Sequence, residues 1–239
     1  LPASKITHIL ARHEQGAGFM ADGYARASGK PGVCFTITGP GLLNILTPMG
    51  QAWSDSSPVY VISSALDVKD NAQGRGRLHE MQSQRQAAAS ITSRSVIAFT
   101  PKDVRDAVAA AFAGFKAARP RPAYLELPLD LLNEPCGEGW LTRPLPSRPQ
   151  PAPEGIAAAC RLLAAAKRPL MILGGGAAGH EAQGERSHGN CSPRESPHGP
   201  GSSQRREEYG ARSVVRRLYA AVRPAIVTAG VRTGGTRGT

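Results

Sequence analysis

Two rhythms of apolar residues alternate along the first 130 positions of this 239-residue chain. Short apolar runs bounded by polar or turn residues fall at 6–11 (ITHILA), 33–38 (VCFTIT), 59–63 (VYVIS), 96–99 (VIAF) and 123–127 (AYLEL), and each reads as a strand. Between the first two runs, Ala17, Met20, Ala21, Tyr24 and Ala25 recur at helical spacing, which predicts a helix over 14–28. Gly29-Lys30-Pro31-Gly32 stops it. A second helix is predicted over 42–54, with Pro48 as a kink or a late start, and a third over 102–118. Pro101 and Asp103 suit the N-terminus of that third helix. Residues 66–90 read as a polar, irregular, mobile loop around Gly74 and Gly76. Strands alternating with helices over short connections predict an α/β fold, a parallel sheet flanked by helices. The near-continuous apolar strands agree, because both faces of such a sheet are covered.

The pattern changes after residue 132. Residues 133–153 are rich in proline and read as an extended linker. A helix over 154–167 and a strand over 169–173 (PLMIL), ending in Gly174-Gly175-Gly176, predict the start of a second α/β domain over 154–179. Residues 180–239 contain no Lys, Asp, Phe or Trp and much Arg, Gly and Ser. Only a weak amphipathic segment at 213–222 breaks this. The stretch is expected to be either a disordered basic tail or sequence read out of frame, and in both cases without a packed fold. The chain opens on Leu1 and enters at once a strand running into a helix. A strand and a glycine-rich turn preceding it are therefore expected to be missing.

Composition narrows the function classes. Hydrophobic residues make up 41% and aromatic residues 5%, so a core is available but must be built from Ala, Val, Leu and Ile. No apolar run approaches the ~20 residues of a membrane span, so no membrane partner is expected. Cys34, Cys136, Cys160 and Cys191 lie far apart without a Cys-x-x-Cys pair, which fits no metal site, no disulfide framework and a reducing cytoplasm. Cys34 and Cys160 sit in apolar settings and read as small core residues. The net charge of +11 raises nucleic-acid binding. Residues 180–239 carry +5 of it, so the predicted folded part has an ordinary mild excess and no nucleic-acid partner is expected.

The chemistry concentrates in the run 11–32, ARHEQGAGFMADGYARASGKPG, and in TGPGLLN at 38–44. By position alone, Glu14 is a carboxylate facing the dipole of a helix N-terminus, worth ~0.3–1 kcal/mol. Gly39-Pro40-Gly41 by itself is a strand-to-helix turn. A third run, 55–63, leads from Asp55-Ser56-Ser57-Pro58 into the strand VYVIS. Taken together, RHEQGAGFMADGYARASGKPGV, TGPGLLN and this third run resemble the pyrimidine-binding domain of thiamine-diphosphate enzymes, the acetolactate synthase catalytic subunit and its relatives above all. The resemblance covers about residues 5–132, and the start of the family's central domain covers 154–179.

The resemblance implies a role for Glu14 against the cofactor's aminopyrimidine ring. A carboxyl group sharing a proton with that ring favours its imino form, whose nitrogen takes the proton of the thiazolium carbon. Partial burial suits a glutamate to this, because desolvation favours the protonated carboxyl. Thr38, Gly39, Pro40, Gly41 and Asn44 are expected to border the cofactor, and Gly16, Ala17 and Gly18 to keep the helix thin where the ring approaches. His13 is given no chemistry. The family also implies a 2-oxo acid substrate, a homo-oligomer formed through this domain, and a separate diphosphate domain that holds Mg²⁺. No Gly-Asp-Gly motif for that metal occurs in the chain, and no FAD is expected. Two departures leave the reaction open. Ile37-Thr38 stands where acetolactate synthases have Thr-Ser, and the loop GRGRLHEMQSQ puts His79 and Glu80 near the place of a Phe-Gln pair. Acetolactate formation, decarboxylation or cleavage of another 2-oxo acid, and a non-catalytic interaction module all remain as readings. The chain by itself is expected to be an inactive piece of the enzyme.

Overall fold

The computed structural model describes residues 7–135, 144–168 and, by backbone alone, 225–229. Strands and helices alternate as β1 Thr7–Ala11, α1 Glu14–Ser28, β2 Gly32–Thr36, α2 Pro40–Asp55, β3 Val59–Ala65, α3 Gln84–Ala89, β4 Arg94–Ile97, α4 Pro101–Ala117 and β5 Ala123–Pro128. A 3-10 turn at Leu131–Asn133, helix α5 Pro153–Ala165 and strand β6 Ala225–Ala229 complete the elements. The strands form one sheet in the order β1-β6-β2-β3-β5-β4. Every pairing in it is parallel. The fold is thus the parallel α/β sheet that the apolar pattern predicts.

The pleat divides the core between the two faces of the sheet. Val59, Val61 and Tyr124 join Ala17, Ala21, Leu42, Ile45, Met49 and Ala52 from α1 and α2 on one side. Tyr60, Ile62, Ala123 and Leu125 join Ala107, Ala111 and Phe115 from α4 on the other. Full burial of the Val, Leu, Ile, Met and Phe side chains among these contributes about 1.5–3 kcal/mol each. The close fit of α1 on α2 explains one small residue: a Cβ on Gly18 would lie 2.3 Å from the Pro48 ring. Gly18 therefore serves helix packing, and Gly16 is exposed with open space beside it.

Several boundaries differ from expectation for identifiable reasons. Helix α2 starts at Pro40 because proline at the first helical position loses an N–H that has no helical partner there. It continues through the buried Pro48 to Asp55. Within residues 66–90, α3 is a six-residue helix capped by the Ser83 side chain and was invisible to periodicity at that length.

Within 180–239 the structure describes one element. Ala225–Ala229 lies between β1 and β2 and pairs with both, Ile9 opposite Val227 and Cys34 opposite Val227. The run AIVTA is short and β-prone within a stretch whose overall composition is Arg- and Gly-rich. The facing edges of β1 and β2 offer it backbone partners on both sides. The rest of 180–239, the strand expected at 169–173, the three glycines after it and the segment 213–222 lie outside the described residues.

Two compact units result, one with β1–β5, α1–α4 and β6, the other with α5. Residues 144–152 are exposed and carry no helix or strand. In α5 no side chain is buried, so Cys160 is exposed and not a core residue, whereas Cys34 is buried as expected. Among the described residues no helix is long and apolar enough to cross a membrane.

Candidate active site

In a parallel sheet the loops that follow the strands gather at one edge, so the N-termini of α1 and α2 come together beyond the ends of β1 and β2. His13 caps α1, its Nδ1 accepting from the Gln15 N–H at 3.1 Å. Glu14 follows as the first helical residue and is half-buried. Its Oε2 accepts from Asn44 Nδ2 of α2 at 3.0 Å. Its Oε1 has no protein donor among the described residues and faces Gly41, where a Cβ would stand 3.6 Å away. A side chain at 41 would also collide with Ile37, whose Cγ2 lies 2.7 Å from that Cβ position.

The turn into α2 is held from below. Thr38 is buried and its N–H donates to Ser64 Oγ at 3.0 Å. The Gly39 N–H donates to Gln84 Oε1 at 2.8 Å, and the Gly39 carbonyl accepts from Leu43. Gly39 stands at φ 63 and ψ −111, a conformation open to glycine and costly for other residues. A Cβ there would also lie 2.3 Å from the His79 carbonyl oxygen. Pro40, the next residue, is exposed. The structure therefore brings Glu14, Gly41 and Asn44 into one corner, with Thr38 and Gly39 as its buried floor and Pro40 on its rim.

The loop before α3 behaves differently from its sequence expectation. Glu80 accepts from the Gly74 N–H at 2.6 Å and the Arg77 N–H at 3.0 Å. Desolvation works to raise its pKa, and the N–H groups of Arg77, Gly74, Gly76 and Gln73 outweigh it, holding the carboxyl below its ordinary range. Glu80 thus anchors its own turn. His79 adopts φ 63, and its Nδ1 is buried without a partner among the described residues.

Sequence reasoning missed the support beneath the corner. Gln84 is 3% exposed, and its Nε2 donates to the Ser64 carbonyl at 3.2 Å. Beside it, Glu126 of β5 is buried, which pushes its pKa up, against bonds from Asn71, Gln84 and the Arg85 backbone. Asn71 Nδ2 reaches it at 3.0 Å. A glutamine at the start of a short alanine-rich helix and a serine at a strand end carry no signal in one sequence.

The donor set suits an aminopyrimidine. One carboxylate oxygen is fixed by an amide while the other is open at a helix N-terminus. The glycine beside it leaves room for a flat ring. Comparisons with known proteins bear on the chain as a whole. Residues 1–89 match the family model for the thiamine pyrophosphate enzyme, N-terminal TPP binding domain. A protein of Pseudomonas aeruginosa described as a probable 2-ketoarginine decarboxylase is 51% identical over 179 residues, covering 74% of this chain and 32% of its own. The acetolactate synthase of Mycobacterium bovis is 34% identical over 188 residues, 75% of this chain and 29% of its own. The acetolactate synthase isozyme 1 large subunit of Escherichia coli is 34% identical over 178 residues, 73% of this chain and 31% of its own. The chain spans about a third of the length of these curated relatives. Residues 1–89 thus carry the N-terminal TPP-binding domain of the thiamine pyrophosphate enzymes, and the relatives match about three quarters of the chain.

Proposed function

We propose that this chain supplies the aminopyrimidine-binding half of a thiamine-diphosphate site in an enzyme that decarboxylates a 2-oxo acid. The observation that carries the reading is the Glu14 carboxyl group, with Oε2 fixed by Asn44 at 3.0 Å and Oε1 facing the Cβ-free Gly41. When bound, thiamine diphosphate supplies a carbon nucleophile and an electron sink for the loss of CO₂. Glu14 would exchange a proton with a ring nitrogen through Oε1. Asn44, donating to Oε2, orients the carboxyl and holds it in place. Gly39, Pro40 and Gly41 would let the ring approach backbone. The diphosphate and its Mg²⁺ are assigned to a separate domain of the whole enzyme, facing this one across a subunit contact as the family resemblance implies.

Two observations favour decarboxylation of a guanidino-substituted 2-oxo acid over acetolactate formation. Identity to the 2-ketoarginine decarboxylase relative is 51%, against 34% to the acetolactate synthases. The loop that meets Gly39 also carries His79 and Glu80 near the place of a Phe-Gln pair. The test is a chimera in which residues 7–132 replace the matching segment of the Pseudomonas relative. The expected result is release of CO₂ from 2-ketoarginine in preference to pyruvate. In that chimera Glu14→Gln lowers kcat by about 10²–10⁴-fold with the fold intact. Turnover near the unsubstituted level would overturn the role given to Glu14.

A further inference from the structure

We propose that Gln84 is the positioning residue of the cofactor wall, and that with Ser64 it clamps two successive backbone N–H groups of the loop that begins α2. The clamp has two points. Ser64 Oγ takes the Thr38 N–H at 3.0 Å, and Gln84 Oε1 takes the Gly39 N–H at 2.8 Å. Both residues sit on the floor side of the loop, one at the end of β3 and one at the start of α3. Gln84 Nε2 donates to the Ser64 carbonyl at 3.2 Å, so the two halves of the clamp are bonded to each other. This fixes the sense of the amide: rotated by half a turn, it would set N–H against the Gly39 N–H and oxygen against the Ser64 oxygen.

Gly39 requires such a partner. It precedes the first helical residue, so its N–H lies outside the helical hydrogen-bond pattern, and the residue is buried. Its positive φ aims that N–H into the protein, and the Gln84 side chain takes it there. The His79 carbonyl closes the space where a Cβ would stand, so the segment 79–84 meets Gly39 twice, once by backbone and once by side chain. Moving Gly39 would move Gly41 and Asn44, which follow it without a break into α2, relative to Glu14 on α1. Gln84 therefore acts on the site through backbone geometry, from beneath the wall. What the wall holds rests on the proposed thiamine-diphosphate reading; the clamp itself does not.

The experiment uses the full 239-residue chain, ¹⁵N-labelled. Amide exchange at Gly39 is compared with that at Val61 and Leu125. Gln84→Met keeps the size and removes the acceptor; it is expected to speed Gly39 exchange by at least about tenfold and leave the two core amides unchanged. Gln84→Glu keeps an acceptor oxygen for Gly39 but sets its second oxygen against the Ser64 carbonyl and near Glu126, so its Gly39 exchange is expected to fall between that of the unsubstituted chain and that of Gln84→Met. The second readout is thiamine itself, titrated while the amides of 38–44 are followed. Gln84→Met is expected to weaken binding about tenfold, and Gln84→Glu by less than Gln84→Met. Unchanged Gly39 exchange in Gln84→Met overturns the clamp. Fast Gly39 exchange with unaltered thiamine affinity overturns the positioning role. If the unsubstituted chain leaves the 38–44 amides unmoved by thiamine, the proposed function fails instead, and Gly39 exchange still decides the clamp. Should Gln84→Met not fold, Gln84→Asn, one methylene too short to reach Gly39, gives the same two readouts.

Discussion

On one side of the sheet, β2, β3, β5 and β4 come from neighbouring strand–helix units, and β3 and β5 are buried along nearly their whole length. On the other, β1 is exposed at four of its five residues and reaches β2 only through five residues from the far end of the chain. The candidate site straddles the two. Glu14 follows β1, and the Gly39–Asn44 wall follows β2. Their contact depends on the Glu14–Asn44 hydrogen bond and the tight α1–α2 packing at Gly18, as well as on β6 between the strands. A stable half thus presents the wall, and a half closed by a distant segment presents the carboxylate.

The largest test of that contrast compares two leucines. Leu125 on β5 is fully buried, and Leu125→Ala is expected to lower the free energy of unfolding by about 2–5 kcal/mol, read from urea unfolding curves. Leu10 on β1 is 53% exposed, and Leu10→Ala is expected to change it by less than about 0.5 kcal/mol. Equal losses would show that β1 is as deeply seated as β5.

A backbone break in β6 sharpens the comparison. Val227 pairs with Ile9 on one side and Cys34 on the other, and proline there removes a ladder N–H from the middle of the sheet. Val227→Pro is expected to speed amide exchange in β1 and in β2 at Cys34 and Phe35, while Val61 and Leu125 stay protected. Exchange in β1 that does not respond would remove β6 from the sheet.

What the sequence showed and what it hid divide along the same line. The run 14–28 has helical spacing, an acidic first residue and a glycine stop, and the helix occupies those residues without a shift. The apolar runs of β3 and β5 announced buried strands because a strand covered on both faces is apolar along its length whichever strand it pairs with. Glu14, Gly41 and Asn44 were legible through motif alone, since no periodicity brings residues 14 and 44 together. Gln84 and Ser64 were not legible, because their roles lie in the direction of an amide and a hydroxyl toward backbone 20 to 45 residues away. β6 was hidden for the opposite reason. Five β-prone residues suffice for a strand only when two open edges await them, and a composition average over sixty residues erases so short a run.

The smallest expected effect lies at the β4–α4 corner, the most local piece of the well-buried half. Asp103 and Thr100 form a reciprocal cap there. Asp103 Oδ2 accepts from the Phe99 N–H at 3.1 Å and the Thr100 N–H at 2.9 Å, and Thr100 Oγ1 accepts from the Asp103 N–H at 3.2 Å. The Phe99 N–H, then the Thr100 side chain, hold the Asp103 carboxyl below its ordinary value of 3.8. Because the folded pKa is the lower one, the carboxylate's contribution is present above the unfolded value and is lost as pH falls through the folded one. Asp103→Asn removes that ionisation. The stability difference between the native chain and this variant is therefore expected to be full at about pH 6 and to shrink as pH drops below about 4. Thermal unfolding of both proteins across that range measures it, with other carboxylates cancelling in the difference. A constant difference would mean that the cap acts through its polar shape alone. A difference that closes with acid would place charge at this corner as the stabilising element, in a region whose structure depends on a few consecutive residues rather than on anything β6 supplies.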